Sequence, residues 1–312
     1  MIEKNRSGKT AARGWVVMVL CLALGALTAA QDSATAGGPA NVIDPAPGLP
    51  IPSLREIIEN IDLKCYRVRD VSPDIFLYLQ HLNPVMIGRG WPDEFVYLQE
   101  AEQLCVPVAK NGRIPPPHVL RYIEWLDLTC YRIEGQPIDQ PLLLTDLNPV
   151  LRQGGWGDID VLVREPQQLC VPVAKDGAIP PPEALNLVQW IDLKTYGIYA
   201  HPIPPQRLTL THLNPVLRQR QWRDEQVVVG AADQLMVPVA KDGWVPPDDV
   251  WSVVQFIDLK CHPIQDRPVD QVIRLTHLNP VLQAMGLPDR QVLVLDPVKL
   301  CVPVAKDGYF PE

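Results

Sequence analysis

Asp62-Leu63-Lys64-Cys65-Tyr66-Arg67-Val68, answered downstream by Gln103-Leu104-Cys105-Val106-Pro107-Val108-Ala109-Lys110-Asn111-Gly112, sets a frame that recurs four times along the chain. Three copies carry cysteine at both marked places: Cys65 and Cys105, Cys130 and Cys170, Cys261 and Cys301. The remaining copy has neither, with Thr195 at the first place and Met236 at the second. Six cysteines alone leave many connectivities open. The loss of both half-partners from one copy is what a covalent pair inside each copy predicts. The expected disulfides are therefore Cys65–Cys105, Cys130–Cys170 and Cys261–Cys301.

Working outward, Leu82-Asn83-Pro84 recurs at Leu147, Leu213 and Leu278, a period of 65 or 66 residues. Each copy closes on Lys followed by Asn-Gly or Asp-Gly, as at Lys110-Asn111-Gly112 and Lys306-Asp307-Gly308; such pairs tolerate the positive φ of a tight turn. Prolines precede 118–128 (HVLRYIEWLDL), 183–193 (EALNLVQWIDL) and 249–259 (DVWSVVQFIDL), whose apolar spacing is that of a helix face. Ser53 and Glu56 form a capping box ahead of Ile57 and Ile58. About four strands follow each helix, among them the run ending at His212, where Leu208 and Leu210 alternate with Thr209 and Thr211. Pro107 and its equivalents lack an N–H, so the last strand is expected at a sheet edge or to end early.

The fold class expected is α+β, mostly β, built from four tandem disulfide-stapled units. Their bounds are 51–112, 113–177, 178–243 (without a disulfide) and 244–312. Residues 1–30, with Lys4, Arg6, Lys9 and Arg13 before an apolar run from Trp15 and small residues at Thr28-Ala29-Ala30, read as a secretory signal peptide. Cys21 would leave with it. Residues 31–50, rich in Ala, Pro and Gly, read as a flexible tether. The address expected is secreted, periplasmic or extracellular, where disulfides persist, and no later stretch is apolar enough to span a membrane.

The Cys65-Tyr66-Arg67-Val68 and Leu104-to-Gly112 frame resembles secreted repeat domains of environmental Gram-negative bacteria whose function is unknown. The resemblance covers residues 51–312 and implies a β-rich fold and an extracytoplasmic address; it implies no activity. The third copy departs from it by lacking both cysteines, and the fourth has His262 where the frame has Tyr66.

The net charge of −8 argues against nucleic acid as a partner, because phosphate binding needs clustered positive charge. His81, His212 and His277 recur before the Asn-Pro step, with Asp146 in the second copy. One imidazole per copy is not a metal site, and a bond to the turn backbone is the expected role. Acidic residues follow the tryptophans: Asp93 and Glu94, Asp158 and Asp160, Asp224 and Glu225, and Asp289. They are expected as solvated loop charges. Trp91, Trp156 and Trp222 share one place, held by Leu287 in the last copy; an exposed row of rings would stack on sugars, so these are the candidate ligand contacts. No H-E-x-x-H, G-x-S-x-G or C-x-x-C motif occurs.

The function expected is a secreted, non-catalytic repeat protein in a structural or adhesive role, with no catalytic residue, cofactor or metal. The expected partner is an extracellular polysaccharide or another surface protein. A polysaccharide-binding protein using the tryptophan row stands second, a glycan-active enzyme third. Trp125, Trp190 and Phe256, where the first copy has Asn60, suggest an open stacked rod whose first unit lacks a predecessor, leaving Asn60 exposed and the three rings buried against the preceding unit.

Overall fold

The computed structural model describes residues 52–309; the signal peptide and the tether expected from the sequence lie outside them. The first copy contributes α1 (Leu54–Ile58), β1 (Leu63–Arg69), β2 (Ile75–His81), α2 (Pro84–Gly88), β3 (Glu94–Leu98) and β4 (Ala101–Lys110). The second gives α3 (Pro117–Ile123), β5 (Leu128–Arg132), β6 (Gln140–Asp146), α4 (Pro149–Gln153) and one long strand, β7 (Ile159–Lys175). The third gives α5 (Pro182–Val188), β8 (Leu193–Ala200), β9 (Gln206–His212), α6 (Pro215–Gln219), β10 (Glu225–Val229) and β11 (Gln234–Lys241). The fourth gives α7 (Asp248–Val254), β12 (Leu259–Pro263), β13 (Gln271–His277), α8 (Pro280–Ala284) and a second long strand, β14 (Arg290–Lys306). The described residues are mostly β, with eight short helices and three disulfides. The helices at the Asn-Pro steps replace simple turns. Asn83 caps α2 by accepting from Val85 N, and Pro84 supplies a first residue that needs no donor.

First and last strands of each copy pair antiparallel, β1 with β4, β5 with β7, β8 with β11 and β12 with β14. Each last strand also pairs with the first strand of the next copy. The final join, β14 on β1, closes the circle. The result is an eight-stranded antiparallel barrel without a free edge in the ring. This overturns the open stacked rod: the first copy does have a neighbour on that side, and the four copies close into one compact body. Helices α1, α3, α5 and α7 follow the same circle, each touching the next and α7 touching α1.

Alternation along the strands sorts side chains between the inside and the outside of the ring. One core cluster joins all four copies through Leu63, Leu128, Leu193, Leu259 and the cysteines, roofed by the first helices. The disulfides Cys65–Cys105, Cys130–Cys170 and Cys261–Cys301 lie within it. Neighbouring bridges come close, with Cys65 Sγ 3.9 Å from Cys301 Sγ and Cys105 Sγ 3.7 Å from Cys130 Sγ. In the third copy Thr195 and Met236 occupy the same register and fill the space with an uncrosslinked pair.

The middle strands form hairpins outside the ring, and each adds to the last strand of the copy diagonally opposite. β2 pairs with β11, β9 with β4, β6 with β14 and β13 with β7. Pro107 falls where β4 exchanges partners, since β5 pairs only as far as Cys105 and β9 begins at Val108. Proline is therefore tolerated inside a strand flanked on both sides, contrary to the edge expected, because its missing N–H lies in the gap between partners. Its carbonyl is used by Leu213 N at 3.0 Å, and Pro172, Pro238 and Pro303 serve Leu278, Leu82 and Leu147 in the same way. The Asn-Gly and Asp-Gly turns have positive φ at both residues, for example 50° at Asp242 and 75° at Gly243. They also clamp the diagonal hairpin: Asp242 accepts from Tyr78 N, and Asn111 from Thr209 N.

Candidate functional site

Repetition in sequence turns out to encode contacts between copies. Asp62, Asp127, Asp192 and Asp258 are buried and pair with the buried Lys110, Lys175, Lys241 and Lys306 of their own copies. The next copy's Asn-Pro asparagine completes each group. Asn148 Nδ2 donates to Asp62 at 2.9 Å, Asn214 to Asp127 at 2.7 Å, and Asn279 to Asp192 at 2.7 Å. Asn83 donates to Asp258 at 2.8 Å across the closing join. Burial pushes each aspartate up, Asp127 and Asp258 to about 6, while the lysine ammonium opposes it. The lysines are pulled down by the same burial. None of these aspartates or lysines stood out as a candidate in the sequence, although each is unchanged in all four copies.

The histidines meet tyrosines of the diagonal copy instead of the turn backbone. Tyr66 Oη lies 3.0 Å from His212 Nε2, Tyr131 Oη 3.1 Å from His277 Nε2, and Tyr196 Oη 3.1 Å from His81 Nε2. Burial drives His81 and His212 down to about 3 and His277 to about 4, so the rings are held neutral. The fourth diagonal is rewritten on both sides. His262 replaces the tyrosine and donates Nδ1–H to Gly230 O at 2.7 Å, while Asp146 replaces the histidine and accepts from Lys260 Nζ at 2.9 Å.

The acidic residues after the tryptophans divide into two kinds. Glu225 is buried against Lys64, and Glu94 is partly buried against Lys194, which corrects the expectation of solvated loop charges for these two. Burial brings both lysines down to about 7. Asp93 and Asp289 stay at the surface, accepting from Tyr78 and from Arg274.

The tryptophan row is not an exposed platform. Trp91 and Trp156 are buried and Trp222 is half-buried. Trp91 and Trp222 pack edge-on against the Tyr196–His81 and Tyr66–His212 pairs. Each indole N–H reaches the glutamine that opens the second strand of the next copy, Trp91 to Gln140 and Trp222 to Gln271, both at 2.9 Å. At the closing join Leu287 and Ile75 take these two places, and both pack against one apolar cluster. Trp125, Trp190 and Phe256 are only half-buried, and so is Asn60. Phe256 stacks on Tyr309 of its own copy at 5.7 Å, and Trp190 and Phe256 flank the core cluster that joins the four copies, so the full burial expected of these rings is not reached.

The barrel's open end, away from the helices, carries a further break in the circle. Gln168 Nε2 donates to Glu102 at 2.7 Å, Gln234 Nε2 to Gln167 at 2.6 Å, and Lys299 reaches Asp233. The corresponding partner for Gln103 is Val298, which offers no acceptor, and Gln103 Oε1 is buried without a partner, as are Gln168 Oε1 and Gln234 Oε1. A cleft of 550 Å³ opens here, lined in part by Arg67, Arg69, Asp70, Glu102, Gln103 and Val298. Arg67 is held by Asp296, and Asp70 by Arg290. Among the described residues no cluster of three His, Cys, Asp or Glu has metal-binding geometry, and no helix is long and apolar enough to cross a membrane. No family of known proteins, no curated protein and no solved structure matches the chain.

Proposed function

We propose that this chain is a non-catalytic scaffold that acts by binding, in a structural or adhesive role at or outside the cell surface. The observation that carries the reading is the use made of the repeated acid, base and imidazole groups. The recurring aspartates and histidines are buried and bonded to a neighbouring or diagonal copy, and the recurring lysines are buried against those aspartates, which is how a side chain serves assembly and not turnover. Three disulfides fit an oxidising, non-cytoplasmic setting, and the signal peptide read at residues 1–30 supplies the route. A closed barrel with external hairpins offers a rigid support from which surface side chains can engage a partner.

The test is twofold. Purified protein incubated with ester, glycoside, peptide and phosphoester substrates should show no turnover above a heat-treated sample, and fractionated cells should hold it outside the cytoplasm. Turnover that disappears in Glu225→Gln or His212→Ala while the fold persists would overturn the reading, as would recovery from the cytoplasm with its cysteines reduced.

A further inference from the structure

The external hairpin of the first copy differs from the other three. Phe76 lies directly opposite Tyr97, and Tyr78 opposite Phe95, on the outward face of β2 and β3. Their ring centroids are 4.8 and 4.9 Å apart. Phe76 is 69% exposed and Phe95 75%. The same four places hold Pro141, Leu143, Leu162 and Asp160 in the second copy, Arg207, Thr209, Val228 and Gln226 in the third, and Val272, Arg274, Leu293 and Gln291 in the fourth. Four aromatic rings on one solvent-facing ladder thus occur on a single hairpin.

The charges around that ladder are equally specific to it. Asp74 accepts from Tyr97 Oη at 2.7 Å, Asp93 from Tyr78 Oη at 3.2 Å, and Asp242 from Tyr78 N at 2.8 Å. None of the three has a lysine or arginine partner among the described residues, and no cation stands over any of the four rings. On the second hairpin the matching set has Arg164 on Asp139 and Arg89 on Asp307; on the fourth, Arg274 on Asp289 and Arg220 on Asp176. The third hairpin keeps only one of the three aspartates, Asp224. Guanidinium groups reach aspartates of the other acidic hairpins, and the aromatic one lacks them.

We propose that this face docks an extended basic segment of a partner protein, with arginine or lysine at alternate positions. The proposal rests on the binding role put forward above and names its partner. Carboxylates at both ends of an aromatic ladder match a guanidinium or ammonium group in charge, and the ring faces attract the same cations. The two ring pairs are two residues apart along the hairpin, roughly 7 Å, the spacing of successive same-side side chains on an extended strand.

The probe is a fluorescent hexapeptide of alternating arginine and glycine, titrated with the mature protein, with an alternating glutamate–glycine peptide and maltohexaose as competitors. Binding should weaken as salt is raised and fall at least tenfold in Asp74→Asn/Asp93→Asn and again in Phe76→Ser/Phe95→Ser. All four are surface changes, and far-ultraviolet circular dichroism checks that the fold is kept. Asp158→Asn/Asp224→Asn, at matching places on two other hairpins, should leave binding unchanged. Absence of binding, equal binding by all variants, or displacement by maltohexaose would overturn the proposal. Those results leave the non-catalytic reading standing, whereas turnover in the substrate panel overturns that reading whatever the peptide does.

Discussion

Thr195 faces Met236 across β8 and β11 in the register that joins Cys65 to Cys105 across β1 and β4. The third copy therefore retains the geometry of the bridge without its atoms. Installing Thr195→Cys with Met236→Cys should form a fourth disulfide and stabilise the fold by roughly 2–4 kcal/mol, the usual return for closing a loop of this size. Thermal unfolding under non-reducing conditions checks the gain, and reduction should abolish it. Either substitution alone should leave a thiol that reacts only on unfolding, since both places are fully buried.

Acid should unfold this protein earlier than its disulfides suggest. His81, His212, His262 and His277 are held neutral by burial, with values of about 3 to 4 against 6.5 for an exposed ring. Because the folded value is lowered, the unfolded chain takes up protons that the folded chain refuses. Stability is intact above pH 6.5 and declines as pH falls toward the folded values. By linkage each ring contributes on the order of 2 kcal/mol of loss by pH 4.5, offset in part by Asp127 and Asp258, whose raised values favour the folded state as pH falls. Denaturant titrations at pH 7 and 4.5 measure the decline, and His212→Gln should reduce its steepness.

Val298 interrupts the circle of side-chain pairs at the open end of the barrel, leaving the amide of Gln103 without the acceptor that Glu102, Gln167 and Asp233 provide elsewhere. Val298→Glu should complete the circle and stabilise by about 0.5–1.5 kcal/mol, the net worth of one hydrogen bond. In a Gln103→Leu background the same change should bring no gain, which separates the pair from a general charge effect.

Much of this arrangement could be read from the chain, and what could not has a physical cause. The cysteine pairs, the capping box of α1, the proline-led helices after it and the Asp-Gly turns are local or lie within one copy, so comparing copies exposes them. Ring closure leaves no such mark, because the join of one copy to the next looks alike in an open and a closed array. Leu287 lies at the closing join with Ile75, where two other joins bond a tryptophan to a glutamine, Trp91 to Gln140 and Trp222 to Gln271. Diagonal contacts were hidden for a similar reason, as they link copies that are not adjacent in sequence. Their signal was present in paired exceptions: the fourth copy has His262 for tyrosine and its diagonal partner has Asp146 for histidine. The outward-facing ladder of Phe76, Tyr78, Phe95 and Tyr97 was hidden because aromatic residues in alternating strands read as core until the hairpin's outward face is known.

Asn83 tests whether the closing join has the strength of the others. Its amide reaches Asp258 across that join just as Asn148 reaches Asp62. Asn83→Ala should cost roughly as much as Asn148→Ala, about 2–4 kcal/mol for a lost cap together with a buried carboxylate left short of a donor. Chemical unfolding of the two variants side by side makes the comparison. A much smaller loss for Asn83→Ala would mean that only capping is at stake there.

The most direct measurement of closure is a crosslink between the first and last strands of the circle. Arg69 on β1 pairs with Leu293 on β14, so their Cα atoms lie within the range a disulfide can bridge. In Arg69→Cys/Leu293→Cys, with the native bridges intact, non-reducing peptide mapping should find one new intrachain bond between residues 69 and 293. Two free thiols, or bonds only between separate molecules, would show that the first and last copies do not meet and would contradict the closed barrel.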